Sequence, residues 1–516
     1  MATYLAGLDN GTTGTKAMVF DLAGNVVGED YREYICEFPK PGWVDQDAEM
    51  LLAASCAALK SAVAKSGVDP KDIAAMGLST QRCTMVPVDK DCRPVRKAIS
   101  WQDSRSTVEC DWIRDNIGAK KYYEITGLPI ATVWAYPTIL WIRNNEPEIY
   151  EKTAKFLLTQ EFILHRLGAD GYPQDWSNGS LQGLMEIDTF KWSKEIIDAS
   201  GLSLDQLPDL VPSAKMVGRV TKEAAELTGL VEGTPLVTGG GDQQCAGIGA
   251  GIIEEGLSEV TLGTAGVSLC FMDKPRRDPA MKMPCSAHAY PGKWECEGLQ
   301  NAAGASYRWF RDTLARLEVA LGKHVGVDPY ELINMQVAKT PAGSRGLFYI
   351  PYLAGASAPN WDPYAKGSFV GLTLAHDYGC MARALMEGIS LETREILESF
   401  EKLGLELNEV RITGGGTKSS LWNQMQADIY GKPVSKLGVG EATVLGAALL
   451  GGVGAGVFES VEEGVEAMVR IEAQYEPDPA THAVYNEVYE IYRNIYHSLA
   501  DGGVYKQIAD FQGRHG

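Results

Sequence analysis

None of the chain's ten cysteines falls in a C-x-x-C pair, and its seven histidines show no H-x-x-x-H or comparable ligand spacing. The first absence points away from a disulfide framework and toward free, buried thiols in a reducing cytoplasm. The second leaves no zinc site to read. Positive charge is also scarce: 47 basic residues face 67 acidic ones, for a net charge of −20. Nucleic acid binding rests on clustered Lys and Arg neutralising phosphates, so nucleic acid is excluded as a partner. An anionic membrane surface is excluded for the same reason. No apolar run reaches the ~20 residues needed to span a bilayer. The longest, Val444 to Phe458, reads as a small-residue helix packed closely on a neighbour. The start, "MATYLAGLD", has no basic region, so no signal peptide is expected. Low-complexity tracts are missing too, and little disorder is expected.

What remains is an ordinary globular composition, 45% hydrophobic and 22% charged over 516 residues. That length suggests two large domains at ~100–200 residues each. The first segment alternates as three antiparallel strands, "YLAGLD", "TKAMVFD" and "NVVGEDYREY". The turns between them, "DNGTTG" and "DLAGN", are rich in residues that accept positive φ. An amphipathic helix follows in "QDAEMLLAASCAALKSAVAKSG", then a buried strand in "IAAMGLSTQ" that ends at Gln81.

The opening pattern recurs half a chain later. "PLVTGGGDQQCAGIGAG" (Pro235 to Gly251) reads as strand, glycine-rich turn and helix start, and "SEVTLGTAGVSLCF" (Ser258 to Phe271) as strand, Gly-Thr turn and strand. Two such hairpins predict a duplicated α/β domain with a cleft between the halves and a boundary near Gly249 to Glu255. A third glycine-rich site, "EVRITGGGTKSSLWNQMQADIYGKPV" (Glu409 to Val434), reads as strand, three glycines and helix. After it, "GEATVLGAALLGG" starts a helix with Glu441 in its first turn.

"DNGTTGTK" is neither a P-loop nor a dinucleotide fingerprint. A turn of glycines still lets backbone N–H groups approach an anion, and the hydroxyls of Thr12, Thr13 and Thr15 add donors. Lys16 adds charge, and Asp9 suits such a place only with a Mg²⁺ between it and phosphate. The plain alternative is a hairpin in which Asp9 caps its own turn. The second hairpin, "LGTAG", would grip a polyphosphate from the other side of the cleft. Gly414 to Gly416 offer a side-chain-free surface for adenine and ribose. Phosphoryl transfer also needs a carboxylate to orient a hydroxyl and take its proton. "GGGDQQ" places Asp242 beyond a strand end, among glycines and before a helix; the alternative is a helix N-cap. Gln81 and Arg82 at a strand's end, Trp101 with a flat face for stacking, and Gln102 and Asp103 as hydroxyl partners are read as a pocket for a hydroxylated substrate. Against this, Arg82 pairing Asp103 structurally and Trp101 lying in the core stay open.

Three such sites in this order resemble the actin-like ATPase superfamily, and most closely the FGGY carbohydrate kinases, over nearly the whole chain. The resemblance rests on "LDNGTTGTK", "WQDSR" (Trp101 to Arg105), "GGGDQQCAGIGAG", "LGTAG", "GSFVGLTLAH" (from Gly367) and "GGGTKSSLWNQMQADIYGKPV". It implies two duplicated ribonuclease-H-like domains with the active site in the cleft between them. Residues 1–250 would bind sugar and phosphate, and residues 251–516 the adenine nucleotide. It further implies that Asp9, Gly11, Thr12, Thr13, Thr15 and Lys16, with Gly263, Thr264 and Ala265, touch phosphates. Gly414, Gly415, Gly416 and Asn423 would border the adenosine. Asp242 would be the catalytic base, with Gln243 beside it at the sugar, and Asp9 the metal ligand.

The expected activity is ATP- and Mg²⁺-dependent phosphorylation of a terminal hydroxyl of a ketose or polyol, a pentulose such as D-xylulose first. Glycerol or another short polyol is the alternative. An actin-like ATPase with no sugar substrate is the alternative of another class. A homodimer is the oligomeric state entertained. Three positions depart from the family pattern. Cys83 stands where glycerol kinases carry a glutamate in Gln-Arg-Glu, which disfavours glycerol; xylulokinases usually show Gln-Met-His there. Thr138 replaces a typical lysine, and Cys380 a usual acidic, amide or His residue.

Overall fold

The computed structural model describes residues 3–515. These form two compact units. The first runs to Glu254 and takes in Phe271–Cys296 and Glu441–Arg470. The second comprises Glu255–Cys270, Glu297–Gly440 and the chain from Ile471 onward.

The first unit is built on a six-stranded sheet. Its strands are β1 (Tyr4–Asn10), β2 (Gly14–Asp21), β3 (Val26–Glu33), β4 (Ile73–Thr80), β5 (Met216–Arg219) and β6 (Pro235–Gly241), in the order β5-β6-β4-β1-β2-β3. The first three strands are antiparallel neighbours, while β4 lies parallel to both β1 and β6. The hairpin forms because Leu5, Ala6 and Leu8 on β1 and Ala17 to Phe20 on β2 are all buried. Helix α1 (Ala48–Ser66) covers part of the sheet. Asp47 caps it by accepting from the Glu49 and Met50 amides, and Gly67 ends it at φ 69°.

The two hairpin turns use glycine differently from the sequence expectation. Gly24 does take a positive φ of 82°. Gly11 and Gly14 do not take a left-handed φ. At Gly14 a Cβ would lie 2.3 Å from the hydroxyl oxygen of the exposed Tyr31 side chain, which would have to move aside. Gly239 to Gly241 likewise prove to be strand residues of β6 rather than a turn. A Cβ on Gly239 would stand 2.3 Å from the Leu78 carbonyl oxygen on β4.

Helices α2 (Asp242–Gly249) and α6 (Ala442–Gly454) pack on each other through small residues. A Cβ on Gly249 would sit 1.9 Å from the Ala442 oxygen, and one on Gly446 1.9 Å from the Cys245 oxygen. Helix α6 also lies against the sheet at Gly7 and Gly77. Glu441 stands at the N-cap position of α6, one residue ahead of the helix, and does not cap it with its side chain.

The second unit repeats the plan. Its strands are β7 (Leu257–Leu262), β8 (Gly266–Met272), β9 (Trp294–Gln300), β10 (Glu409–Thr413), β11 (Val434–Leu437) and β12 (Ile471–Tyr475), in the order β9-β8-β7-β10-β11-β12. Strands β7 and β8 form the antiparallel hairpin, and β10 and β11 extend it in parallel. This is the hairpin-then-parallel order of the first sheet, so the duplication read from the sequence holds. No helix among the described residues is long and apolar enough to cross a membrane.

Candidate active site

In the first unit, β1, β4 and β6 run parallel, so their carboxyl ends meet at one edge, where open α/β sheets bind ligands. Asp9 pairs with Ser79 across β1 and β4, and Gly241 pairs with Thr80 across β6 and β4. Four sequence-predicted residues are thereby gathered: Asp9, Gln81, Arg82 and Asp242. Asp9 does not cap its own turn. Its Oδ1 accepts from the Ser79 hydroxyl at 2.8 Å. Burial, and then the nearby Asp242 and Glu441 carboxylates, push its carboxyl up to about 8 against the pull of Ser79.

Asp242 is the first residue of α2, behind a Gly241 N-cap, so the helix-cap alternative fails. Its Oδ1 lies 3.0 Å from Arg82 Nε and accepts from the Gln243 amide at 2.7 Å. The backbone just ahead of it is fixed by a buried relay. The Gly241 amide donates to Ser177 Oγ at 3.0 Å, and Ser177 donates to Asp175. Asp175 also accepts from the Ser177 amide, Asn178 Nδ2 and Ser213 Oγ. Its carboxyl is nonetheless raised by burial. Gln243 half-faces solvent, with a buried Oε1 that lacks a partner among the described residues.

The pocket residues separate on inspection. Asp103 is buried, and its two oxygens accept from the Val44 and Arg105 amides and from the Arg105 guanidinium. Those bonds use the capacity of a carboxylate, so Asp103 is a structural partner of Arg105 and not of Arg82. Gln81 is fully buried, donates to Gln46 and accepts from Thr84. Gln46 in turn donates to the Thr12 carbonyl at 2.8 Å, so Gln81 supports the first turn from behind. Trp101 is half-buried, and its Nε1 donates to Thr12 Oγ1 at 2.8 Å.

The turn itself is less open than its composition suggested. Thr15 is buried and spends its hydroxyl on the Asp9 carbonyl at 2.7 Å. The Gly11 amide closes the turn onto the Gly14 carbonyl. Lys16 Nζ lies 2.9 Å from Glu441 and 3.3 Å from Glu29. Burial lowers the Lys16 pKa, but those carboxylates outweigh it and the net shift is upward. Thr13 is exposed and Thr12 half-buried, so these two carry the turn's available hydroxyls. Cys83 is buried with its thiol against the Leu181 carbonyl. Thr138 and Cys380 are buried in helices.

The second unit contains a cavity of roughly 500 Å³. Gly263 and Thr264 of the second turn form one wall, and Gly415 and Gly416 another. Tyr307 and Arg308 of α3 (Ala303–Thr313), Tyr330 and Asn334 of α4 (Pro329–Val337) and Trp422 of α5 (Ser420–Tyr430) also line it, as do the charged Asp328, Glu331 and Lys418. The turn is docked on the start of α3: the Gly304 and Ala305 amides donate to the Gly263 and Thr264 carbonyls at 2.9 and 3.0 Å. Arg308 Nη2 reaches Thr264 Oγ1 at 3.2 Å. Gly414 takes φ 84°, and a Cβ there would lie 2.7 Å from the Leu262 oxygen. A Cβ on Gly415 would meet nothing. Asn423 does not line the cavity. It is buried and holds the glycine loop by donating to the Thr417 carbonyl at 2.9 Å. Tyr307, Arg308, Tyr330 and Asn334 were not foreseen, because they come from helices outside the glycine-rich turns on which the sequence reading rested.

Family models decide what this arrangement belongs to. Residues 4–249 match the N-terminal domain of the FGGY family of carbohydrate kinases, and residues 259–455 its C-terminal domain. The chain belongs to the FGGY family. Its relatives include a protein named xylulose kinase from Bacillus subtilis (strain 168), 33% identical over 96% of this chain and 97% of the relative. Another, named gluconokinase, from Bacillus licheniformis, is 30% identical over 99% of both chains. Among solved structures, the ligand-bound xylulose kinase from Lactobacillus acidophilus superposes with a TM-score of 0.88. It is 26% identical and covers 96% of this chain and 98% of that one. The protein is therefore an ATP-dependent sugar kinase with the two-domain α/β fold of the actin-like ATPases. Membership of a carbohydrate kinase family removes the alternative of an ATPase without a sugar substrate.

Proposed function

We propose that this FGGY kinase transfers the γ-phosphate of ATP to a terminal hydroxyl of a pentulose, with D-xylulose the first acceptor. The observation that carries the reading is the meeting of Asp9, Arg82 and Asp242 at the carboxyl ends of three parallel strands. Asp242 is the base: it takes the proton of the acceptor hydroxyl as that oxygen bonds to the γ-phosphorus and the bond to ADP breaks. Arg82 holds the Asp242 carboxylate and faces the sugar. Trp101 and Gln243 border the sugar, while Gln81 and Asp103 shape the pocket from behind. Thr12 and Thr13 donate to phosphate from the first turn, and Gly263 and Thr264 from the second. The cavity of the second unit takes the adenosine, with Gly415 and Gly416 against it.

Asp9 is the Mg²⁺ carboxylate. No group of three or more His, Cys, Asp or Glu side chains suited to a metal occurs among the described residues. Mg²⁺ bound through one or two carboxylates plus phosphates needs no such group. A desolvated Asp9 pressed by Asp242 and Glu441 is an anionic place that a cation would relieve. When bound, Mg²⁺ supplies charge neutralisation on the transferring phosphates.

Gluconate is the second reading, supported by the relative named gluconokinase. Glycerol is disfavoured, because Cys83 offers no carboxylate at its position. Cytoplasmic residence accords with ten free cysteines, and a homodimer is open to sedimentation analysis. The deciding experiment is coupled ADP release with D-xylulose, other ketoses, gluconate and glycerol. Turnover on D-xylulose at least tenfold above the rest in kcat/KM supports the reading. Preference for gluconate or glycerol sinks the pentulose assignment, and equal ADP release without any sugar sinks the kinase mechanism.

A further inference from the structure

Strand β7 of the second unit carries a carboxylate that the mechanism above does not use. Glu259 is fully buried, and its Oε1 accepts from Thr413 Oγ1 at 2.7 Å and from the Thr261 hydroxyl. The two hydroxyls lie 2.7 Å apart, and Thr261 faces Thr413 in the parallel pairing of β7 with β10. Two residues beyond Thr261 comes Gly263; directly after Thr413 comes Gly414. One buried carboxylate is thus bonded to both strands where each runs out into a loop bordering the same cavity.

A strand interior is an expensive place for such a group. Burial pushes the Glu259 carboxyl up to about 7, with Glu297 adding to the rise and the two threonine hydroxyls opposing it. Its Oε2 has no hydrogen-bond partner among the described residues. An apolar residue of similar size would fill the position without the desolvation cost. What an apolar residue cannot do is accept from two hydroxyls on two strands at once. That geometry is a strap across the β7–β10 pair at its outlet.

We propose that Glu259 is a positioning residue for the nucleotide. Through Thr261 and Thr413 it fixes the spacing between the Gly263–Ala265 turn and the Gly414–Gly416 loop. This rests on the reading that the cavity bordered by those loops takes ATP. The turn and the loop would touch opposite parts of one ligand, so a loosened strap weakens nucleotide binding while leaving the sugar and the base in place.

The test is calorimetric titration with Mg-ADP, alongside kinetics with ATP varied. Glu259→Leu removes the shared acceptor and is expected to raise the Kd for ADP and the KM for ATP about tenfold, the order of a lost charge-assisted pair of hydrogen bonds. The sugar KM should not move. Glu259→Gln keeps an Oε1 acceptor at the same reach and should restore ADP binding to within about twofold. A merely structural glutamate would lower the thermal midpoint in Glu259→Leu and leave the ATP KM unchanged, which overturns the proposal. Should Glu259→Leu fail to fold, Thr413→Val cuts the same strap and carries the same expectation. Gly415→Val separates the two levels, because Gly415 lines the cavity and a Cβ there meets no atom of the strap. If it leaves ADP binding intact, the ATP reading of the cavity fails. If it abolishes binding while Glu259→Leu and Thr413→Val bind like wild type, only the role of Glu259 fails.

Discussion

Arg82 Nε stands 3.0 Å from Asp242 Oδ1, joining the residue after β4 and Gln81 to the first residue of α2. A guanidinium is a planar donor fixed in orientation, so this pair aims the carboxylate as well as binding it. The consequence concerns the base. Asp242→Asn preserves size and hydrogen bonding but cannot accept the acceptor hydroxyl's proton. General base catalysis contributes roughly 10²–10⁴-fold, so kcat should fall by at least about two orders of magnitude while ADP affinity and fold persist. A near-wild-type kcat on the true substrate would remove Asp242 from the mechanism.

Ser177 should act on the same residue from behind. It accepts from the Gly241 amide and donates to buried Asp175, fixing the backbone one residue ahead of the base. Ser177→Ala orphans a buried amide, at a cost of about 1–3 kcal/mol, and frees Asp242 to shift. The expected result is a drop in kcat of about tenfold or more with an unchanged KM for ATP, and recovery in Ser177→Thr. A variant that loses stability yet keeps kcat would reduce Ser177 to a fold residue.

Much of this was legible in the sequence. Both hairpins, the amphipathic helix of Ala48–Ser66 and the strand–helix units carry local signals, namely short apolar runs bounded by turn residues, an Asp cap and glycine stops. Asp242, the proposed base, stood out because a lone carboxylate follows three glycines. What stayed hidden depends on distant partners. Nothing in "WQDSR" says that the distant Val44 amide donates to Asp103 alongside the motif's own Arg105, or that Arg82 turns to Asp242. Thr15 looked like a phosphate donor by composition, but its register opposite Asn10 points it inward. The aromatic lining of the second unit's cavity comes from helices whose spacing is that of any core.

The glycine reading of Val444 to Phe458 yields a stability test. Gly446 of α6 faces the Cys245 carbonyl of α2 so closely that a Cβ would lie 1.9 Å away, with no side chain available to yield. Overpacking of this kind typically costs ~1–3 kcal/mol, and occasionally more. Gly446→Val should lower the unfolding free energy by at least about 2 kcal/mol in denaturant titration. Gly440, where a Cβ meets nothing, should tolerate alanine. Equal midpoints for the two variants would contradict the close helix crossing.

Asp9 offers a test in pH. An aspartate carboxyl of ordinary value 3.8 is raised here to about 8 by burial and by Asp242 and Glu441. Below the lower value both folded and unfolded chains hold the proton, and above the upper value neither does. Between them the folded state keeps a proton that the unfolded chain has released. Stability must therefore fall as pH rises through that window and level off beyond it. Other buried carboxyls share the trend, so the informative quantity is the difference from Asp9→Asn, which cannot titrate. Wild type should lose more thermal midpoint between pH 5 and pH 8.5 than the variant does. Protons and Mg²⁺ compete for the same oxygens, so the Mg²⁺ concentration for half-maximal activity in wild type should fall across the same range. Asp9→Asn should need far more Mg²⁺ at pH 8.5, with the gap to wild type narrowing toward pH 5. Parallel stability curves would show that Asp9 is ionised in the fold at neutral pH. A variant with full activity at low Mg²⁺ would end the assignment of Asp9 to the metal and leave the first hairpin as a phosphate turn alone.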